Sequence, residues 1–318
     1  MYRCAQDAVE YLLSSVGGGA QDSEHRAVRQ AIFRAYDEIN AARQWKWHIT
    51  ESSITVQSGV TDYLLPANVT ALDSLIPEGK MAITQYITPY EWKQLNVSSL
   101  ALGQPLFWTV MQDPDPANYG RYLLRVAGEP IEGQVLYFTY QRRPRALRYT
   151  GYEPLSHVGV VSASGTAVTG VGTAFVPDFA GAVIRFGTSA NTPEAIEGMH
   201  PYREQILIAS VESQTALTME SATTLPTSTV KYAVTDVLDM SPNMFRAFLS
   251  CCESWYARLQ GKPVDGAIAV YQRDLRLAFE QDVIAPISGQ RGASGLGSYG
   301  AGPRYFGWAS PSMPNTGG

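Results

Sequence analysis

Cysteine is scarce in this chain of 318 residues. Cys4 and the adjacent Cys251-Cys252 make neither a disulfide framework nor a metal set. That usage fits a reducing compartment. Histidine is equally sparse: His25, His48, His157 and His200 lie far apart, with no ligand spacing. There is no Gly-x-Ser-x-Gly, no His-Glu-x-x-His and no Cys-x-x-Cys. Gly170-Val171-Gly172-Thr173 lacks the lysine of a phosphate loop and reads as a β-turn. No run of about 18 apolar residues exists, so no membrane span is expected. The first residues, Met1-Tyr2-Arg3-Cys4-Ala5-Gln6-Asp7, lack the apolar stretch of a signal peptide. These absences lead us to expect no enzyme, no cofactor and no metal.

Charge is also thin, at 17% of residues. A surface with few ions to strip of water suits extensive subunit contacts. The net charge of −5 is uneven. Residues 151–236 hold eight acids and three bases, which accounts for all of it, and the rest balances to zero. No segment has the basic excess of a dedicated nucleic-acid binder.

The apolar spacing that is present predicts an α+β chain. Residues 4–15 read as a short helix on Ala5, Ala8, Val9 and Leu12, stopped by Gly17-Gly18-Gly19. A longer helix runs from about Ser23, its expected N-cap, to Arg43, with Val28, Ala31, Ile32, Ala35, Tyr36 and Ile39 as its buried stripe. Trp45 and Trp47 read as core anchors. Residues 49–150 are strand-like and broken by turns. Pro66 closes a strand, and Thr88-Pro89-Tyr90-Glu91 is a capping box for a short helix with Trp92 and Leu95. Gly103-Gln104-Pro105 leads into an aromatic strand, and Asp113-Pro114-Asp115-Pro116 is a turn. Two more strands, around 122–126 and 134–140, are joined through Gly128, Pro130 and Gly133. Ser241-Pro242 opens a helix with Phe245, Phe248, Leu249, Cys252, Trp255, Tyr256 and Leu259 on its apolar face. Gly261-Lys262-Pro263 breaks it from a last helix at 264–283, which should pack antiparallel.

Three parts follow. Residues 1–150 and 237–284 form a discontinuous body of terminal helices and a strand-rich middle. Residues 151–236 form an inserted acidic β-module, a small sandwich or barrel with its own core, which should be removable over 156–235 without unfolding the rest. Residues 285–318 form an extended tail with nine glycines and four prolines, too poor in core formers to fold alone.

Gly165-Thr166-Ala167-Val168-Thr169-Gly170-Val171-Gly172, with the short strands after it, resembles β-modules found in virion proteins of tailed bacteriophages. A second resemblance covers roughly 20–285. Its motifs are the long helix ending in Trp45-Lys46-Trp47, the Tyr63-Leu64-Leu65-Pro66-Ala67-Asn68-Val69 turn before Leu72-Asp73-Ser74-Leu75, and Gly103-Gln104-Pro105. Tyr140-Gln141-Arg142-Arg143-Pro144 and the terminal helix pair complete them. In this order they are similar to the head-to-tail adaptor proteins of tailed phages, also called tail accessory or head-completion factors. The resemblance implies a virion protein at the head–tail junction, assembled in the host cytoplasm. It implies a homo-oligomeric ring, commonly a dodecamer, under the portal protein. A tail nozzle or tail-tube protein would follow it, and genomic DNA would pass non-specifically through the bore.

Candidate site residues follow. In the tail, Arg291, Tyr299, Arg304, Tyr305, Phe306 and Trp308 are anchors for the portal or a neighbouring subunit. Arg26, Arg29 and Arg34 on the long helix, and Arg142, Arg143, Arg145 and Arg148 after a strand, are candidate channel or interface residues. Solvated faces with local ion pairs are the plain alternative for these arginines. Other functions remain open: a tail-tube or nozzle protein, a cell-wall glycoside hydrolase using Glu194, Glu197 or Glu204, or a glycan-binding module.

Overall fold

The computed structural model describes all residues except 1, 17–21, 58, 79–83, 95–106, 128–132, 196–197, 225–226 and 283–318. The glycine stop at 17–19, Leu95, Gly103-Gln104-Pro105, Gly128, Pro130 and the whole tail lie outside the described residues.

The chain is mixed α+β. Helix α1 (Ala5–Val16) and helix α2 (Asp22–Ala42) come first. Helix α2 starts at Asp22, so Ser23 stands inside its first turn and is not the N-cap. The last two helices among the described residues are α5 (Phe245–Leu259) and α6 (Asp265–Asp282). A 3-10 turn, Pro242–Met244, precedes α5, and the Ser241 side chain makes no capping bond there. Proline alone sets that entry through its fixed φ. Gly261 reverses the chain at φ +64, a left-handed conformation cheap only for glycine, and the Lys262 amide donates to Ala257 at 2.9 Å. The apolar stripes of these four helices share one core, from Ala8 and Leu12 through Val28, Ile32 and Ile39 to Phe248 and Cys252. Trp45 is wholly buried there, stacked 4.5 Å from Trp47 and 5.2 Å from Phe279.

The middle forms two small sheets. One has the order β1 (Ile49–Thr55), β7 (Val135–Arg142), β3 (Val69–Pro77), all antiparallel. The other has the order β2 (Asp62–Leu64), β6 (Tyr122–Ala127), β5 (Phe107–Gln112), β4 (Gln85–Tyr86), with β4 parallel to β5. Alternation along β7 turns Leu136, Phe138 and Tyr140 inward to meet Trp108, Leu124 and Val126. The Thr88 box caps helix α3 (Pro89–Gln94) as its spacing predicts: the Thr88 amide donates to Glu91 at 2.8 Å and the Glu91 amide to Thr88 Oγ1 at 3.3 Å.

After a one-turn helix α4 (Pro154–His157) comes a single seven-stranded antiparallel sheet. Its strands are β8 (Val160–Ser164), β9 (Ala167–Val171), β10 (Val183–Phe186), β11 (Glu204–Ser213), β12 (Ala216–Met219), β13 (Thr227–Val230) and β14 (Tyr232–Thr235). Its order is β13-β8-β9-β12-β11-β10-β14. Strands β13 and β14 are opposite edges, yet only Lys231 separates them. Consecutive residues lie about 3.8 Å apart, so the two edges must meet at that point and the sheet curls into a half-barrel. The module is one curled sheet, not two stacked ones. Phe175, Phe179, Ile184, Phe186, Ile208, Leu217 and Tyr232 fill its concave side.

Strands β10 and β14 are buried at every residue. The reason is cover on both faces. Ile184, Phe186, Tyr232 and Val234 point into the half-barrel, while Arg185 and Thr235 point the other way, to α1.

Candidate functional site

Among the described residues, the seam between helices and curled sheet gathers most of the ion pairs. It begins at Arg142, the last residue of β7. The Arg142 guanidinium grips Asp239 through both terminal nitrogens, Nη1 and Nη2, with Nη2 at 2.6 Å from Oδ1. Burial works against ionisation of Asp239, but the Arg142 guanidinium and the Arg145 amide outweigh it and hold the carboxyl below its ordinary range. Three residues on, Arg145 reaches the sheet. It donates to the carbonyls of Gly181 and Ala180 and lies 3.4 Å from Asp236. Gly181 has φ +75, and a Cβ there would collide with the Arg145 guanidinium.

Asp236 is enclosed, and its carboxyl takes the amides of Arg148 (2.5 Å) and Tyr149 (2.7 Å). Burial pushes its pKa up against those donors. Arg148 pairs with Asp178 at 2.8 Å. Arg29 joins from α2, donating to the Arg148 carbonyl at 3.0 Å and pairing with Glu153 at 3.1 Å. Tyr36 donates to the Arg145 carbonyl at 2.8 Å. The segment leaving the body at 142–149 is thus stitched to the segment returning at 236–239, almost a hundred residues later.

A second tie is deeper. Arg185, with no exposed surface, lies 2.7 Å from Asp7 of α1. It also bonds Gln6 Oε1 at 3.1 Å and Gln205 at 3.2 Å, and stacks over Tyr202 at 4.5 Å. The Ala5 amide donates to the Asp236 carbonyl, and the Gln6 amide to Thr235 Oγ1 at 3.0 Å.

The arginines singled out by sequence therefore divide. Arg29, Arg142, Arg145 and Arg148 have partners at the seam. Arg26, Arg34 and Arg143 are exposed and make no ion pair among the described residues. The tail residues Arg291, Tyr299, Arg304, Tyr305, Phe306 and Trp308 lie outside the described residues. Glu194 accepts the Met199 amide at 2.6 Å, and Glu204 holds the Thr224 amide at 3.0 Å, so both carboxylates order local turns. Glu197 lies outside the described residues. Among the described residues no His, Cys, Asp and Glu group could hold a metal, and no helix is long and apolar enough to cross a membrane.

Sequence reasoning missed Asp7, Asp236 and Asp239. Asp236 and Asp239 flank the return from β14, but nothing local says that their partners lie upstream at 142–149. A buried arginine in a strand, Arg185 between Ile184 and Phe186, was the available signal: an inward-and-outward strand pattern leaves it needing a counter-charge.

No curated protein matches the chain. The family model described as the SU10 adaptor protein matches residues 5–158, from α1 through the two middle sheets and the arginine linker to α4, and this similarity supports a phage adaptor-type structural protein and a virion component.

Proposed function

We infer that the chain is a non-enzymatic connector that forms a ring between portal and tail and continues the channel through which DNA leaves. The observation that carries this reading is the match to the SU10 adaptor family over 5–158. Balanced charge outside the acidic module supports it, because a conduit must not grip phosphates tightly. Four of the seven candidate arginines are neutralised by carboxylates within the chain, which leaves Arg26, Arg34 and Arg143 as the groups to face a bore or a neighbour. The acidic half-barrel belongs on the outside of such a ring, where it cannot repel the DNA. Tail residues Arg291, Tyr299, Arg304, Tyr305, Phe306 and Trp308 serve as anchors on the portal or the next subunit. Native mass spectrometry of the chain with and without its portal tests the reading. A ring that forms only on the portal supports it; a monomer indifferent to the portal overturns it.

A further inference from the structure

The outermost strand of a sheet leaves one row of backbone N–H and C=O groups unpaired, and proteins guard such edges against other chains. Among the described residues the outermost strands are β1 and β3, β2 and β4, and β13 and β14. All but β1 are guarded. Strands β2 and β4 are three and two residues long. Strands β13 and β14 meet at Lys231. Strand β3 breaks register at Val69/Ala71 and again at Leu72/Ser74. Its Leu75 carbonyl accepts the Thr84 hydroxyl at 2.7 Å, and Pro77 has no N–H to give.

Strand β1 has none of these devices. Its seven residues, Ile49-Thr50-Glu51-Ser52-Ser53-Ile54-Thr55, pair with β7 in unbroken register. It holds no proline, glycine or lysine, and β-branched Ile49, Thr50, Ile54 and Thr55 favour the extended form. Glu51 is its only charged residue. The Val56 amide donates to the Gln134 carbonyl at 2.8 Å. Backbone groups alternate sides along a strand, so Thr50, Ser52 and Ile54 turn theirs to β7 as Val56 does. Ile49, Glu51, Ser53 and Thr55 turn theirs to the open side, where no other described segment bonds to them. The same four side chains are exposed, Ile49 at 48%.

We propose that this edge pairs with β1 of a second copy, antiparallel across a two-fold axis at Ser52. The guarded edges cannot receive it, whereas β1 is complementary to itself. The pairing sets Ile49 opposite Thr55, Thr50 opposite Ile54, Glu51 opposite Ser53, and Ser52 opposite its own copy. Every outward residue then falls at a hydrogen-bonded position, for about eight new backbone bonds. A slip of one residue takes the outward groups out of phase. A slip of two in one direction brings the two Glu51 carboxylates face to face, and in the other leaves Ile49 outside the paired stretch. The two sheets become one, in the order β3-β7-β1-β1-β7-β3. A two-fold contact is closed on itself, so the pairing describes the free chain and does not depend on the connector reading.

Sedimentation equilibrium of the full chain over a range of concentrations should show monomer and dimer. Ser53→Pro removes an outward N–H at an edge position that tolerates proline, and Ser53→Glu sets like charges opposite each other. Each change counts twice across the axis and should weaken dimerisation about tenfold or more. Ser53→Lys should strengthen it several-fold, because a lysine there faces Glu51 of the second copy, and added salt should erase the gain. Melting curves of the dilute chains check that the variants fold. Cross-linking reads the register. Cys4, Cys251 and Cys252 are buried, so mild oxidation reports a newly placed thiol. Ser52→Cys faces its own copy with Cα atoms about 4.5 Å apart and should form an interchain disulfide. Ser53→Cys lies diagonal to its copy and should not. A monomer at every concentration overturns the proposal, as does a dimer that Ser53→Pro and Ser53→Glu leave intact. A dimer lost on truncation after Ala285 also overturns it, and assigns the contact to residues 286–318.

Discussion

Asp7 and Arg185 show how much one residue can decide at this seam. Both are enclosed, and Arg185 has further bonds to Gln6 and Gln205. A buried pair adds little against an apolar replacement, but losing one partner strands the other charge. Asp7→Asn should therefore cost about 3–5 kcal/mol. A lowered urea midpoint reads this out, and a change under about 1 kcal/mol would show that water reaches the guanidinium. Glu10 predicts the opposite sign. Its folded pKa of about 7 exceeds the ordinary 4.5, so folding favours the protonated form. Its contribution is full below pH 4.5 and is lost as the pH rises through 7. Glu10→Gln, which cannot ionise, should match the native chain at pH 4 and be more stable at pH 8. The gain should be about 1–2 kcal/mol after allowing for solvent screening. Equal melting curves at pH 8 would refute the shift.

At the scale of elements, the helices were the legible part. The stripes on α2, α5 and α6, the Thr88 capping box and the Gly261 break all follow from local spacing. The curled sheet's short strands were legible too, because alternation and glycine turns are local signals. Its form and its dependence on α1 were not. Edge strands meeting through Lys231, and Asp7 reaching Arg185, join residues whose sequence neighbours carry no mark of the partner. Sequence alone leads one to expect that 156–235 can be replaced by a short linker without harm. The structure gives α1 a different role: it roofs β10 and β14, with Gln6 on Thr235, Asp7 on Arg185, and Cys4 bridged to Val237. Excision should strip Thr235 and Arg185 from α1, which also packs against α2 and α5. The excised chain should melt well below the native one, and further, Asp7→Asn should cost it little, because Arg185 is gone. Calorimetry of the four chains decides: equal costs of Asp7→Asn in both backgrounds would separate the two parts energetically.

For the whole molecule, the cores bear on the tail. Every residue of the three described hydrophobic clusters falls between Ala8 and Phe279. A truncation after Ala285 therefore removes nothing that these cores contain, and the melting temperature should stay unchanged. What it removes is Tyr299, Tyr305, Phe306 and Trp308, with Arg291 and Arg304, among nine glycines. Aromatic and arginine side chains are the usual carriers of binding energy, worth about 2 kcal/mol each when buried at an interface. A sequence with so few core formers is better suited to a partner's surface than to one of its own. In a ring the contribution recurs in every subunit, so modest single contacts add up to a large effect on assembly. The truncated chain should fold normally and yet yield few tailed infectious particles. Electron microscopy should then show filled heads without tails. Wild-type particle yield from the truncated chain would make 286–318 a passive extension and move the partner contacts to the described surface, where Arg26, Arg34 and Arg143 are exposed.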